Sequence, residues 1–330
     1  MFQHLRESRS LLMGLAILGV AFFHAPFVIH NPWLDMFHSV LNSGVDMFLF
    51  LSGLGACHSI ARRGGRDYLR QRVKRLLPGL YLVMLIWCAV MLGMGLMTVR
   101  ELLGNVTLLG WWLGMGNQLN WYFSAVWAFY LLAVPLYALF RKTAQPVWLW
   151  LGLVLLSMAL GILCPWDWYK LAVTRLPIFL TGMLFGRLEQ TGFSHEKRLR
   201  CILFPLMLVG IWLVILTYLG YGYRYGYSLG LWWYPYALVT PGMAVLISDL
   251  AALLRKQPLL TKLLQPIELC GESSAEILMI HLAVYKVILA TTRYRNRYWL
   301  MILLGCAALG CLYHVLVVPR LHLPRKRTTC

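Results

Sequence analysis

Four ionisable side chains interrupt long apolar stretches of the chain: His24, Asp46, Arg175 and His281. A charged imidazole in hydrocarbon has no water to solvate it, so His24 is expected to be neutral unless an acid stands beside it. A neutral ring next to a carboxylate can act as a general base that activates a hydroxyl. Asp46 either supplies that carboxylate or pairs with Arg175 and only joins helices. Taken alone, His24 could equally be a helix-end histidine bonded to a backbone carbonyl. His281, five residues after Glu276, forms a second acid–base pair, lines a tunnel for an acceptor, or packs across helices. Arg72 and Arg75 lie one helical turn apart. Their planar guanidinium forks suit phosphate, although arginines there also serve topology and lipid head groups. Ser52 precedes Gly53 and either permits close helix approach or contacts substrate. As a nucleophile it lacks the Gly-x-Ser-x-Gly elbow of soluble hydrolases. Trp121, Tyr122, Trp232, Trp233 and Tyr234 suit an interfacial aromatic belt or stacking on a sugar. The run from Tyr221 to Tyr227 is a second candidate for acceptor contact.

The elements that must position these groups follow from composition. The chain has 330 residues, 60% of them hydrophobic and only 13% charged, about half the charge of a soluble domain at roughly 25%. Its apolar runs approach the ~20 residues needed to cross hydrocarbon, and a backbone in lipid must satisfy its own hydrogen bonds as helix. An all-α integral membrane protein follows, a single domain over 1–330. Ten spans are expected at about 10–29, 37–60, 77–98, 119–140, 147–163, 168–187, 201–219, 231–254, 272–291 and 298–318. The Gly- and Trp-rich region 101–118 is expected to be re-entrant or interfacial. The first span reads as a retained helix, because no small-residue cleavage site follows it.

The net charge of +18 would suit nucleic acid, but its placement speaks for a membrane. Of the 30 Lys and Arg, 22 fall in loops on one side of the ten spans and six on the other. That asymmetry places both termini in the cytoplasm and adds attraction to anionic membrane lipid. The eight cysteines are scattered singly, so neither a disulfide framework nor a metal site is expected. With this topology His24, Asp46, Arg175 and His281 share the middle-to-outer membrane on four spans. Exposing each to lipid costs a few kcal/mol, so they are expected to face inward and meet.

Several segments then fall into a known order. Gly14 to His24 resembles the first-helix signature of the membrane acyltransferase-3 family. Ser43-Gly-Val-Asp-Met-Phe-Leu-Phe-Leu-Ser-Gly53 is similar to its Gly-Val-Asp-Leu-Phe-Phe-x-x-Ser-Gly motif. Tyr68 to Pro78 resembles its arginine-rich loop, and Trp121-Tyr-Phe-Ser-Ala a weaker aromatic motif. Arg175-Leu-Pro-Ile-Phe-Leu-Thr-Gly182 resembles its Arg-x-Pro-x-Phe-x-x-Gly segment. Gly271-Glu-Ser-Ser-Ala-Glu-Ile-Leu-Met-Ile-His281 resembles its late helix. Each motif is weak alone, but the ordered set covers nearly the whole chain.

The resemblance implies a ten-helix enzyme that binds no cofactor permanently and uses acyl-CoA, often acetyl-CoA, as co-substrate. Its acceptor would be a hydroxyl of a cell-envelope glycan or lipid-linked sugar, and its place the cytoplasmic membrane of a bacterium. Some relatives carry an added esterase-like domain, which this chain is expected to lack. His24, Asp46, His281 and Glu276 would be catalytic, Arg72 and Arg75 would hold the donor, and Arg175, Trp121, Tyr122 and Ser52 would contact substrate. The family usually has Arg before the glycine matching Gly14, where this chain has Met13. Arg9, four residues earlier on the same helical face, is expected to reach the same place. Three other readings compete: a small-molecule acceptor, a proton-coupled transporter or flippase built from the same intramembrane charges, and a catalytically retired membrane scaffold, which Met13 keeps in view.

Overall fold

In a computed structural model of the chain, residues 1–27, 30–119, 121–164, 166–220, 232–291 and 298–321 are described. They fold into helices alone. A short amphipathic α1 (Phe2–Glu7) leads into α2 (Arg9–His24) and α3 (Pro32–Val40). A 3-10 turn (Leu41–Ser43) joins α3 to α4 (Gly44–Arg63), and α5 (Gly65–Gly93) and α6 (Val99–Thr107) follow. Next come α7 (Trp121–Lys142), α8 (Pro146–Leu163), α9 (Asp167–Val173), α10 (Leu176–Gln190) and α11 (Glu196–Tyr218). The last are α12 (Tyr234–Leu254), α13 (Pro258–Glu272), α14 (Ser274–Thr291), α15 (Trp299–Leu316) and α16 (Val318–Leu321). Among the described residues nine helical segments are long and apolar enough to cross a membrane, and α2 is a shorter apolar tenth. The protein is an all-α integral membrane protein.

The expected spans hold, with two instructive shifts. The third begins at Gly65 instead of about 77, because the arginine-rich stretch is itself helical and continues through Pro78 into the apolar part. Arg72 and Arg75 thus sit on a rigid rod and not in a loop. The first span ends early. Its 16 residues reach only about 24 Å at ~1.5 Å per residue, less than the ~30 Å of hydrocarbon. Free helix-end carbonyls at that depth need donors, and His38 on α3 supplies one. Its Nε2 lies 2.9 Å from the Phe22 carbonyl and 3.1 Å from that of Ala25. Asn31 in turn caps α3, its Oδ1 accepting from the amides of Trp33 and Leu34 at 3.0 and 3.1 Å, with Pro32 in the first turn where its missing N–H costs nothing. The result is a helix that stops inside the membrane and leaves His24 at its tip.

The centre of the bundle is the crossing of α4 and α10. The apolar stretch that includes α10 is 78% buried, against 11% for α8 at the lipid surface. The two backbones meet on glycine: a Cβ at Gly53 would collide with the Phe179 carbonyl, and one at Gly182 with that of Phe50. Without a hydrophobic drive between helices in lipid, such contact is a main source of association. Gly53→Val should therefore destabilise the protein by at least ~1–3 kcal/mol. Gly152→Ala on α8, where a Cβ meets nothing within 4 Å, should be neutral or slightly stabilising. Thermal unfolding of the two variants in detergent checks the contrast.

Candidate active site

Three neighbouring cavities share walls inside the bundle. The first, on the arginine-rich side, has a volume of ≈ 70 Å³ and is walled by α2, α4, α5, α7, α14 and Glu272 at the end of α13. Arg9, Arg72, Arg75, Ser52 and Glu276 all line it, as does Met13. The Arg72 guanidinium lies against the rings of Tyr68 and Tyr130, 5.2 and 4.9 Å from their centroids, a contact worth ~0.5–2 kcal/mol per ring. Arg9 reaches the cavity past Gly55, where a Cβ would lie 2.7 Å from Arg9 Nη1. Arg9 and Met13 thus line the same cavity. Among the described residues no carboxylate forms an ion pair with Arg9, Arg72 or Arg75. Glu276 lines the same cavity yet turns to His314, with Oε1 3.4 Å from Nδ1. The cavity thus gathers three arginines that no described carboxylate pairs with, although Glu272 and Glu276 stand in the same wall.

The second cavity, ≈ 150 Å³, holds His24, Arg175, Trp121, Tyr122, Trp233 and Asn42. Phe48, Tyr122 and Leu278 are walls of both the first and the second. The third is a wider vestibule of ≈ 580 Å³ on the opposite side, again with His24 and Trp121 in its wall. The vestibule is shaped by the segment after α6. Thr98 and Glu101 form a capping box, and the Glu101 carboxylate also accepts from the Asn117 amide at 2.8 Å. These donors hold the Glu101 carboxyl below its ordinary range. Buried Asn105 donates to the carbonyls of Glu101 and Asn117 and accepts from the Leu119 amide. The region 101–118 is thus a short helix and a tied-back loop beside the site. Lys286 closes its inner edge, its ammonium donating to the Gln118 carbonyl and lying 5.4 Å from the Trp87 ring centroid.

His24 stands where the second and third cavities meet. Its Nδ1 is 3.1 Å from His281 Nε2, and the rings stack at 5.3 Å. His281 is fully buried, and its Nδ1 lies 2.7 Å from the Ile277 carbonyl. A carbonyl only accepts, so His281 Nδ1 carries the proton. With both rings neutral, His281 Nε2 must then accept from His24 Nδ1–H. That leaves the lone pair of His24 Nε2, which has no hydrogen-bond partner among the described residues, free to take a proton. The backbone of α14 thereby sets the tautomer of a ring on α2.

Two expected pairings are corrected. Asp46 does not orient His24; its Oδ1 lies 3.5 Å from Arg175 Nε, both side chains almost wholly buried. His281 does not pair with Glu276, since its two nitrogens are taken by Ile277 and His24. The four intramembrane groups do meet, but as His–His and Asp–Arg. Trp121 and Tyr122 line the cavities and do not form a lipid-facing belt, and Trp121 and Trp233 flank the Arg175 guanidinium at 5.2 and 4.1 Å. Ser52 faces the arginine cavity, while the neighbouring Gly53 makes the close approach. The run from Tyr221 to Tyr227 lies outside the described residues. His38, His314 and Asn105 carry no signal in the sequence, and Lys286 shows there only as a basic residue inside a span. Each acts through a contact more than ten residues away, which no local pattern reveals.

A family model described as an acyltransferase domain, that of the acyltransferase-3 family, matches residues 10–316. No curated protein and no solved structure matches the chain. The match begins one residue after Arg9 and ends at the last residue of α15, so it takes in every helix that lines the three cavities. The chain therefore belongs to the acyltransferase-3 family and is a membrane acyltransferase.

Proposed function

We propose that the protein moves an acyl group, acetyl in the simplest case, from acyl-CoA to a hydroxyl of a cell-envelope glycan or lipid-linked sugar. The observation that carries this reading is the position of His24, in the wall both of the vestibule and of the chamber that shares Phe48, Tyr122 and Leu278 with the arginine cavity. The donor's phosphates meet Arg75 at the cavity mouth and Arg72 and Arg9 within it. A cavity of ≈ 70 Å³ admits a thread such as the pantetheine arm and leaves the nucleotide outside. The thioester then passes Phe48, Tyr122 and Leu278 into the His24 chamber.

There His24 Nε2 takes the proton of the acceptor hydroxyl as its oxygen attacks the thioester carbonyl. The tetrahedral adduct collapses with cleavage of the C–S bond, and His24 returns the proton to the leaving thiolate. The guanidinium of Arg175, held in the same chamber, favours the negative charge that develops on the carbonyl oxygen. The excess of Lys and Arg on the donor side supports a cytoplasmic donor and a bacterial cytoplasmic membrane.

Proteoliposomes given labelled acetyl-CoA test the reading: label should pass to a polyol acceptor, with one free thiol released per ester formed. Release of thiol without ester, or no donor cleavage at all, counts against it. Arg72→Ala and Arg75→Ala should each raise the donor KM by roughly 10- to 100-fold, the value of a charge-assisted hydrogen bond of ~1.5–3 kcal/mol. Steady-state kinetics over donor concentration measures this. A fall in kcat alone, at unchanged KM, would remove these arginines from donor binding.

A further inference from the structure

A fourth cavity of ≈ 160 Å³ opens behind the His24 chamber, between the tip of α2, the α3–α4 turn, α11 and α12. It shares Phe23 and Asn42 with that chamber. Beyond them it is lined by Ser39, Thr217, Tyr218 and Tyr236. Its frame is tied: the Tyr218 hydroxyl donates to Asp35 Oδ2 at 2.6 Å, joining α11 to α3. The turn that carries Asn42 is also held, because Gly44 brings α4 against the Ala16 carbonyl of α2, where a Cβ would lie at 2.5 Å.

Asn42 Oδ1 is buried at the junction of the two cavities and has no hydrogen-bond partner among the described residues. Leaving a buried acceptor unpaired costs ~1–3 kcal/mol, and such groups are rare enough to need an explanation. The chamber also combines flat aromatic faces with hydroxyl and amide groups. A sugar ring meets all of these demands, since its C–H faces cover aromatic rings and its hydroxyls both donate and accept. An acyl chain would leave Asn42 unsatisfied.

We propose that this chamber is the acceptor's sugar subsite. Asn42 Oδ1 accepts a hydrogen bond from one ring hydroxyl while a neighbouring hydroxyl of the same ring reaches His24 Nε2. This rests on the acyl-transfer reading above and deepens it, by naming where the acceptor sits and which residue selects it.

The test compares a ring with a fragment of a ring. Wild-type protein in proteoliposomes receives labelled acetyl-CoA with either glycerol or a panel of methyl hexosides as acceptor. Asn42→Leu removes the accepting oxygen at similar volume, and Thr217→Trp fills the chamber from α11, away from His24. Each variant should lower kcat/KM for the hexosides at least tenfold more than for glycerol, through the acceptor KM. Asn42→Asp, which keeps an accepting oxygen, should recover part of the loss. If both variants reduce hexoside and glycerol transfer by the same factor, or if the wild type acylates glycerol and none of the hexosides, the subsite is refuted while acyl transfer stands. If the wild type passes label to neither glycerol nor any hexoside, acyl transfer itself is refuted.

Discussion

His24→Ala should lower kcat for acyl transfer by about 10²- to 10⁴-fold, the range that a positioned general base contributes, or ~3–5 kcal/mol of transition-state stabilisation at 1.36 kcal/mol per tenfold. The donor KM should stay within about twofold, because His24 is not among the residues lining the arginine cavity. The fold should hold, since the ring is only half-buried and its one hydrogen bond is to another imidazole. His281→Ala tests the tautomer argument separately. It takes away the acceptor that holds His24 Nδ1–H and should reduce kcat less than loss of the base itself. His281→Gln, whose side-chain oxygen can accept the same proton, should restore part of that loss. Rates for all three variants at saturating donor, with size-exclusion profiles to show intact protein, decide the matter. Transfer by His24→Ala at the wild-type rate would leave the proposed mechanism without its base.

The parts of this site that were legible in the sequence are those whose cost shows in composition. His24, Asp46, Arg175 and His281 stand out because a titratable group in an apolar helix is expensive, and their inward, shared level follows from the same cost. What the spacing could not reveal is which of them touch. Depth along a helix can be counted at ~1.5 Å per residue, but pairing depends on how helices are rotated about their axes. Here that rotation is set by backbone contacts at Gly53 and Gly182, and at Gly14 and Gly271, where α2 and α13 meet. Those contacts put Arg175 beside Asp46 and His281 beside His24. Arg9 was legible for a simpler reason, because the one-turn offset from Met13 is local geometry within a single helix. Asn42 was not, since an orphaned acceptor is defined by what surrounds it and not by its neighbours in the chain. His38 was hidden too, because the need for a cap at Phe22 and Ala25 arises only when the first span stops short.

Asp46→Ala should destabilise the protein by ~3–5 kcal/mol, the cost of leaving a buried charge without its partner. Asp46 and Arg175 are 1% and 3% exposed, so water cannot replace the lost contact. Arg175→Ala should cost a comparable amount, and the double variant less than the sum of the two, because neither survivor is then stranded. The coupling should nonetheless be smaller than for a tight pair. At 3.5 Å the contact is longer than the 2.7–2.9 Å typical of charged hydrogen bonds, and the guanidinium is also held between Trp121 and Trp233. Thermal unfolding of the four proteins of this cycle in one detergent measures it. Asp46→Asn then separates the ion pair from the alternative in which Asp46 orients the base. An asparagine keeps the shape and one acceptor oxygen, so beside Arg175 it should cost stability while kcat in the folded fraction falls less than tenfold. If Asp46 instead set the tautomer of His24, the same change would leave stability nearly untouched and remove activity by orders of magnitude. The 3.1 Å contact from His24 to His281 already occupies the nitrogen such a carboxylate would need, so the loss should appear in the unfolding curve and not in the rate.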